Sequence, residues 1–191
     1  MYKRIILASR SPRRIELLKQ IRVECHAMPT DIDESIKPRE SPVTYVKRLA
    51  KEKALAAHLM RKPEFANMLI LAADTIVVLD NKVLGKPEND QDATNMLKML
   101  SGTKHQVHTA VAVYAGNKMS CMLNSSMVEM MMLSDRAIKD YIASGEHRDK
   151  AGSYGIQGLA GAWIKRIEGS YSGVMGLPLY ETAQLLNKMK V

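Results

Sequence analysis

The chain has 191 residues, of which 46% are hydrophobic and 25% charged, which suits one globular domain spanning 1–191 and excludes a large multidomain machine. Twenty-eight Lys and Arg against 20 Asp and Glu leave a formal charge of +8. The cations are scattered with no run of five, and seven Tyr, one Trp and one Phe make a poor base-stacking surface, so nucleic acid is not an expected partner. Cys25 and Cys121 fit no zinc or redox motif and suit a reducing cytosol. Met1-Tyr2-Lys3-Arg4 leads into only four apolar residues before Ser9, so no signal peptide is expected. The longest apolar stretch, Met68 to Leu79, is broken by Asp74 and too short to span a bilayer, so no membrane is expected either.

In chain order, Ile5 to Ala8 is a short apolar run that predicts a buried first strand. Ser11-Pro12 reads as an N-cap with Pro at the first helical position, opening a helix to about Ile21. Ser41-Pro42 repeats the device for a helix to about Met60. Met68 to Leu79 is strand material, Asp80-Asn81 a turn, and Val83-Leu84 a return strand closed by Gly85 and Pro87. Asp90 to Leu100 predicts a helix that stops at Ser101-Gly102. Val107 to Tyr114 reads as a strand, and Gly116-Asn117 as the turn into another within Met119 to Leu133. Ser134 caps a helix ending at Gly145. A glycine-rich loop follows, then a strand around Ala162 to Ile167 and a last helix from Pro178. Strands alternate with helices and no repeat or linker intervenes, so the expected class is α/β.

Several residues break these patterns. Arg13 and Arg14 sit in the first helical turn, where the macrodipole places partial positive charge and each cation costs about 0.3–1 kcal/mol. Exposed side chains could splay into water. Alternatively, free N–H groups, the hydroxyls of Ser9 and Ser11 and the two guanidiniums would together clamp a phosphate. Lys53 falls within the apolar stripe Val46, Leu49, Ala50, Ala54 and Ala57, and either snorkels to water or points into a cleft. Asp74 interrupts a strand that would otherwise be buried throughout. An unpaired carboxylate there costs several kcal/mol, so it must meet cations, hydrogen bonds or water, and it suggests catalysis or metal binding. Thr75 adds a hydroxyl beside it, and Lys86 is held in the Gly85-Lys86-Pro87 turn. Between Asp149 and Gly158 three glycines let the backbone approach a ligand, and the Gln157 amide offers a base edge both a donor and an acceptor. His105 and His108 point to opposite faces of a strand and would share no metal. The remaining set suits a nucleotide: cations for the triphosphate, the amide for the base, the carboxylate for a divalent metal or the attacking water.

The ordered segments Leu7-Ala8-Ser9-Arg10-Ser11-Pro12-Arg13-Arg14, Asp31-Ile32-Asp33-Glu34, Leu49 to Ala54, Ala73-Asp74-Thr75, Gly85-Lys86-Pro87, Ser101-Gly102, Thr109-Ala110-Val111, Asp149 to Gly158 and Val174 to Pro178 carry a resemblance along nearly the whole chain. They resemble the Maf family of nucleoside triphosphate pyrophosphatases. The resemblance implies a cytoplasmic enzyme that cleaves a nucleoside triphosphate between its α- and β-phosphates, releasing the monophosphate and pyrophosphate. It implies an elongated mixed sheet flanked by helices, with two lobes around a deep central cleft, and often a homodimer. Asp74 would be the catalytic base or metal-anchored activator of water, with Glu34 a second ligand of Mg²⁺ or Mn²⁺. Arg14, Lys53 and Lys86 would hold the phosphates, beside Ser9 of the helix-start clamp. The branch acting on dTTP and UTP carries Arg, Thr and Gln at three specificity positions, matched by Arg13, Thr75 and Gln157. The 7-methyl-GTP branch carries an aromatic, a Gln and a Glu there, so a neutral pyrimidine edge is the expected base. A nucleotide-binding regulator of septum formation is the rival the family also carries. Leu159 stands where many relatives have Arg, and Ser125 to Met132 is methionine-rich where relatives often have Thr and Phe. Among its cations Asp74 is expected to have a depressed pKa, favouring a metal-assisted role over base catalysis alone.

Overall fold

In the computed structural model, which describes residues 4–189, the apolar runs assemble into one seven-stranded mixed sheet. The first three residues, on which the reading of the N-terminus partly rests, lie outside the described residues. The elements are β1 (Ile5–Leu7), α1 (Pro12–Gln20), β2 (Cys25–Ala27), α2 (Pro42–Met60), β3 (Ile70–Leu79), β4 (Lys82–Leu84), α3 (Asp90–Leu100), β5 (Lys104–Ala115), β6 (Lys118–Met130), α4 (Asp135–Ser144), β7 (Ile164–Glu168), α5 (Tyr171–Met175) and α6 (Leu179–Lys188). Short 3₁₀ turns occupy Pro63–Phe65, Ala151–Ser153 and Leu159–Trp163. The strand order is β2-β1-β3-β5-β6-β7, with β4 also on β3. β1 runs parallel to β2 and β3, and every other pairing is antiparallel.

Local chemistry explains the joints. Asp80 and Asn81 both adopt positive φ, 49° and 63°, as the two-residue β3–β4 hairpin requires, because that twist matches the strands. Gly116-Asn117 turns β5 into β6 between paired Ala115 and Lys118. The Ser134 hydroxyl caps α4 at the Ala137 N–H, and Gly145 ends it in the left-handed conformation. β2 and α5 were not expected from the sequence. β5 begins at Lys104 instead of Val107, because β6 pairs with it that far. β7 begins at Ile164, after a 3₁₀ turn occupies Leu159–Trp163.

Side chains alternate across β3. Ile70, Ala72, Ile76 and Val78 pack on one face with Val46, Leu49, Ala50, Ala54 and Ala57 of α2. Leu71 and Ala73 pack on the other with Leu17 and Leu18 of α1 and Leu185 and Leu186 of α6. Each buried Leu or Ile contributes about 1.5–3 kcal/mol. A third cluster gathers Val77, Leu97, Leu100, Val107, Ile138 and Tyr141 around α3 and α4. The core thus has one part around α1, α2 and α6 and another around α3 and α4.

The sheet is interrupted between them. β1 meets β3 only at Ile6–Ile70 and Leu7–Leu71, and β4 does not join until Val77. From Ala72 to Ile76 that edge of β3 has no strand partner, and the cleft opens there. No helix among the described residues is long and apolar enough to cross a membrane.

Candidate active site

Asp74 and Thr75 are neighbours on β3 and leave it on opposite faces, yet the interruption lets both reach one cleft of about 1110 Å³. Ser9, Arg13, Arg14, Glu34, Lys53, Lys86 and Gln157 line the same cleft, so the structure brings together all nine residues singled out in the sequence.

α1 starts directly after β1, at the rim of the gap. The Ser11 hydroxyl, expected to cap α1, makes no cap bond; its backbone N–H instead donates to Ser9 Oγ at 3.1 Å. Ser9 therefore organises the helix start, and the first-turn donors remain open to a ligand. Arg14 is half-buried and fixed on three sides. Its Nε donates to the Gly176 carbonyl at 2.8 Å, Nη1 to Ser9 Oγ at 3.2 Å and Nη2 to Thr75 Oγ1 at 3.5 Å. Gly176 sits at φ 113°, and a Cβ there would lie 3.5 Å from Thr75 Oγ1 and 3.7 Å from Arg14 Nε, inside this contact. Among the described residues neither Arg13 nor Arg14 makes an ion pair. Burial lowers the proton affinity of both guanidiniums.

Lys53 does not snorkel. Its Nζ lies 2.6 Å from Asp74 Oδ1 and 2.6 Å from Glu34 Oε1, and the side chain is 12% exposed. Lys86 reaches the other oxygen of Glu34 at 3.5 Å from a mostly exposed position. Burial tends to raise the Glu34 carboxyl, but the hydrogen bond and charge of Lys53, helped by Lys86, hold it below its ordinary value. Asp74 goes the other way, which corrects the expectation of a depressed pKa. It is 6% exposed, and the loss of solvation pushes its carboxyl up against the opposing pull of Lys53 and Arg14. Counting nearby cations overlooked how dry the strand interior is.

Supports of this site were missed in the sequence. Glu34 lies in the long connection before α2, and α2 staples that connection down. Tyr45 Oη donates to the Glu34 carbonyl at 2.7 Å. Arg48 holds the Ser35 carbonyl at 2.8 Å and both Glu40 oxygens at 2.7 and 2.8 Å. No sequence signal marks Glu40 and Arg48 as partners across a loop and a helix start. On the opposite wall, the glycine-rich segment is pinned by Tyr154 against His105 Nε2 at 2.6 Å, and by the Gly155 N–H donating to Tyr141 Oη at 3.3 Å. Gly152, at φ 67°, lies against Val77, where a Cβ would come within 2.9 Å. Gln157 stands exposed at the cleft, its amide without a hydrogen-bond partner among the described residues. His108 Nδ1 lies 2.8 Å from Ser125 Oγ, and neither His105 nor His108 lines the cleft. Leu159 does not line it either.

The residues fit a divalent cation. One oxygen each of Glu34 and Asp74 converges on the single charge of Lys53. Two carboxylates, completed by phosphate oxygens and water, are the hard donor set of Mg²⁺ or Mn²⁺. Among the described residues no three His, Cys, Asp or Glu form a self-sufficient metal cage.

Known proteins resemble this chain along nearly its whole length. A dTTP/UTP pyrophosphatase of Pseudoalteromonas atlantica is 51% identical over 98% of this chain and 97% of its own length. One from Methylobacillus flagellatus is 54% identical over 98% and 94%. A nucleoside triphosphate pyrophosphatase of Haemophilus ducreyi is 44% identical over 100% and 98%. Among solved structures, the Ham1 protein of Staphylococcus aureus superposes with a TM-score of 0.44 at 14% identity, over 67% of this chain and 72% of that one. The model of the Maf-like protein family matches residues 4–189, and the chain belongs to that family.

Proposed function

We propose that the cleft hydrolyses dTTP and UTP to the monophosphate and pyrophosphate. The observation that carries this is the meeting, in one cleft, of a buried Asp74 held by Lys53, an arginine pair at a helix start, and the three positions Arg13, Thr75 and Gln157. The names of the relatives, pyrophosphatases of dTTP and UTP among them, support the same reading. Arg14, already locked by Ser9 and Gly176, offers phosphate oxygens a fixed cation, so little reorganisation accompanies binding. Arg13 and the open donors at the start of α1 extend that site. Asp74, with its raised pKa, takes the proton of a water aimed at the α-phosphate, and Lys53 holds the carboxylate in place. Thr75 and Gln157 meet the base.

Glu34 and Asp74 would hold Mg²⁺ or Mn²⁺, which when bound supplies charge neutralisation at the phosphate oxygens. A cytoplasmic location and a homodimer complete the proposal; sedimentation equilibrium tests the second. The central experiment is pyrophosphate release from a panel of canonical and modified nucleoside triphosphates with either metal. Preference for dTTP and UTP is expected. Failure to turn over either one, or release of orthophosphate instead of pyrophosphate, overturns the reading.

A further inference from the structure

Thr109 is fully buried on β5, directly across from Thr75 in the β3–β5 register, and is absent from the cleft lining. Its hydroxyl lies 2.8 Å from the carbonyl of Gly173 in α5 and 3.0 Å from Thr75 Oγ1. A hydroxyl has one proton, and a carbonyl can only accept. The Thr109 proton is therefore committed to Gly173, and toward Thr75 the Thr109 oxygen can only accept. Thr75 must then donate its own proton to Thr109. The outer side of the Thr75 oxygen is left with lone pairs alone, one of them facing Arg14 Nη2 at 3.5 Å. The chain of donors runs one way, from Arg14 through Thr75 and Thr109 to Gly173.

We infer that Thr109 is a specificity-positioning residue that makes Thr75 a pure hydrogen-bond acceptor toward the nucleobase. The inference rests on the nucleotide reading given above and deepens it. Uracil and thymine carry a proton on ring N3, whereas cytosine carries a lone pair there. A fixed acceptor attracts the first two and repels the third, by the same logic through which a buried polar group rejects an unmatched substrate. Selectivity between pyrimidines would thus be set by a residue that never touches the substrate.

The test compares equilibrium binding of UMP and CMP by titration calorimetry in the wild-type chain and in Thr109→Val, Thr109→Ala and Thr109→Ser. Valine keeps the shape of threonine, and the Gly173 carbonyl retains the Gly176 N–H as a donor at 3.0 Å. Alanine serves if the valine variant does not fold. Loss of the hydroxyl frees the Thr75 proton to turn toward the cleft, so the preference for UMP should narrow by about tenfold. Serine, which keeps the hydroxyl, should retain the preference. The inference is overturned if valine or alanine keeps the wild-type ratio, if serine loses as much as valine, or if the wild-type chain does not prefer UMP. Pyrophosphate release from dTTP is measured separately and decides the catalytic reading alone; the binding ratio decides the role of Thr109.

Discussion

On the α2 flank of the cleft, Lys53 is shared between Glu34 and Asp74, and Lys86 adds a second cation to Glu34. On the α1 flank, Arg13 and Arg14 face the same space with no ion pair among the described residues. Arg14 is held there by neutral oxygens only. The first flank is neutralised from within by one shared cation, so removal of Lys53 should be felt in stability. The second carries positive charge at the positive end of a helix dipole, an arrangement that a bound anion relieves. Its members should matter more to ligand binding than to folding. Residues contributed by neighbouring segments of one cleft are thus expected to fail differently.

The largest effect is expected at Asp74. Asp74→Asn should lower pyrophosphate release by about 10²–10⁴-fold, the contribution of a general base, while a thermal melt at neutral pH shows no loss of stability. The sign follows from the raised pKa. Between the ordinary 3.8 and the higher folded value, the native state keeps a proton that the unfolded state releases, so wild-type stability falls as pH rises through that window. The stability of Asp74→Asn relative to wild type should therefore improve over the same window. In the wild-type enzyme kcat/KM should decline toward acid with a midpoint above 3.8, as the base becomes protonated. A midpoint below 3.8 would contradict the burial argument.

Lys53→Met comes next and tests the self-neutralised flank directly. It leaves two carboxylates without their shared cation, and denaturant titration at pH 7 should show a loss of about 3 kcal/mol. The loss should shrink at acid pH, where the carboxylates take up protons; a deficit independent of pH would count against the pairing. Arg13→Ala probes the other flank. Its stability should stay within about 0.5 kcal/mol of wild type, while phosphate-dependent binding of UTP weakens about tenfold. Equal damage to stability and binding would erase the contrast between the flanks. Arg48→Met, which removes the staple on the Glu34 connection, should raise KM about threefold and leave the acid midpoint of Asp74 in place.

Most elements were legible because they carry local signals. Ser41-Pro42 opens α2, and Ser41 accepts from the Thr44 N–H as a cap should. Asp80-Asn81 supplies the turn of the β3–β4 hairpin. β2 escaped notice because it is three residues long, Cys25-His26-Ala27, with no buried member and a partner, β1, that only tertiary structure supplies. α5 is five residues long with Gly173 inside it and was hidden in a glycine-rich context. The site residues stood out because Asp74, Lys53 and the arginine pair each violate the pattern of their own element. Their supports did not: Tyr45 and Arg48 are ordinary in sequence, and Thr109, though within a segment that carries the resemblance, gains a role only from Thr75 across the sheet. The direction of the Asp74 shift was misjudged for a related reason: charge is visible in a sequence, whereas the depth of burial that outweighs it is not.

The interruption along β3 has a consequence for how such a protein can diversify. Asp74 and Thr75 are consecutive in the chain but emerge on opposite faces. Asp74 bonds to Lys53 of α2, while Thr75 bonds to Arg14 and Thr109 on the other face, so they have no hydrogen-bond partner in common. On the function proposed above, what is cut and how it is cut would be written on different sides of the same strand. A substitution at position 75 and its compensating change at position 109 can explore new bases while the reactive carboxylate and its lysine stay untouched, so a lineage can change diet without relearning its chemistry.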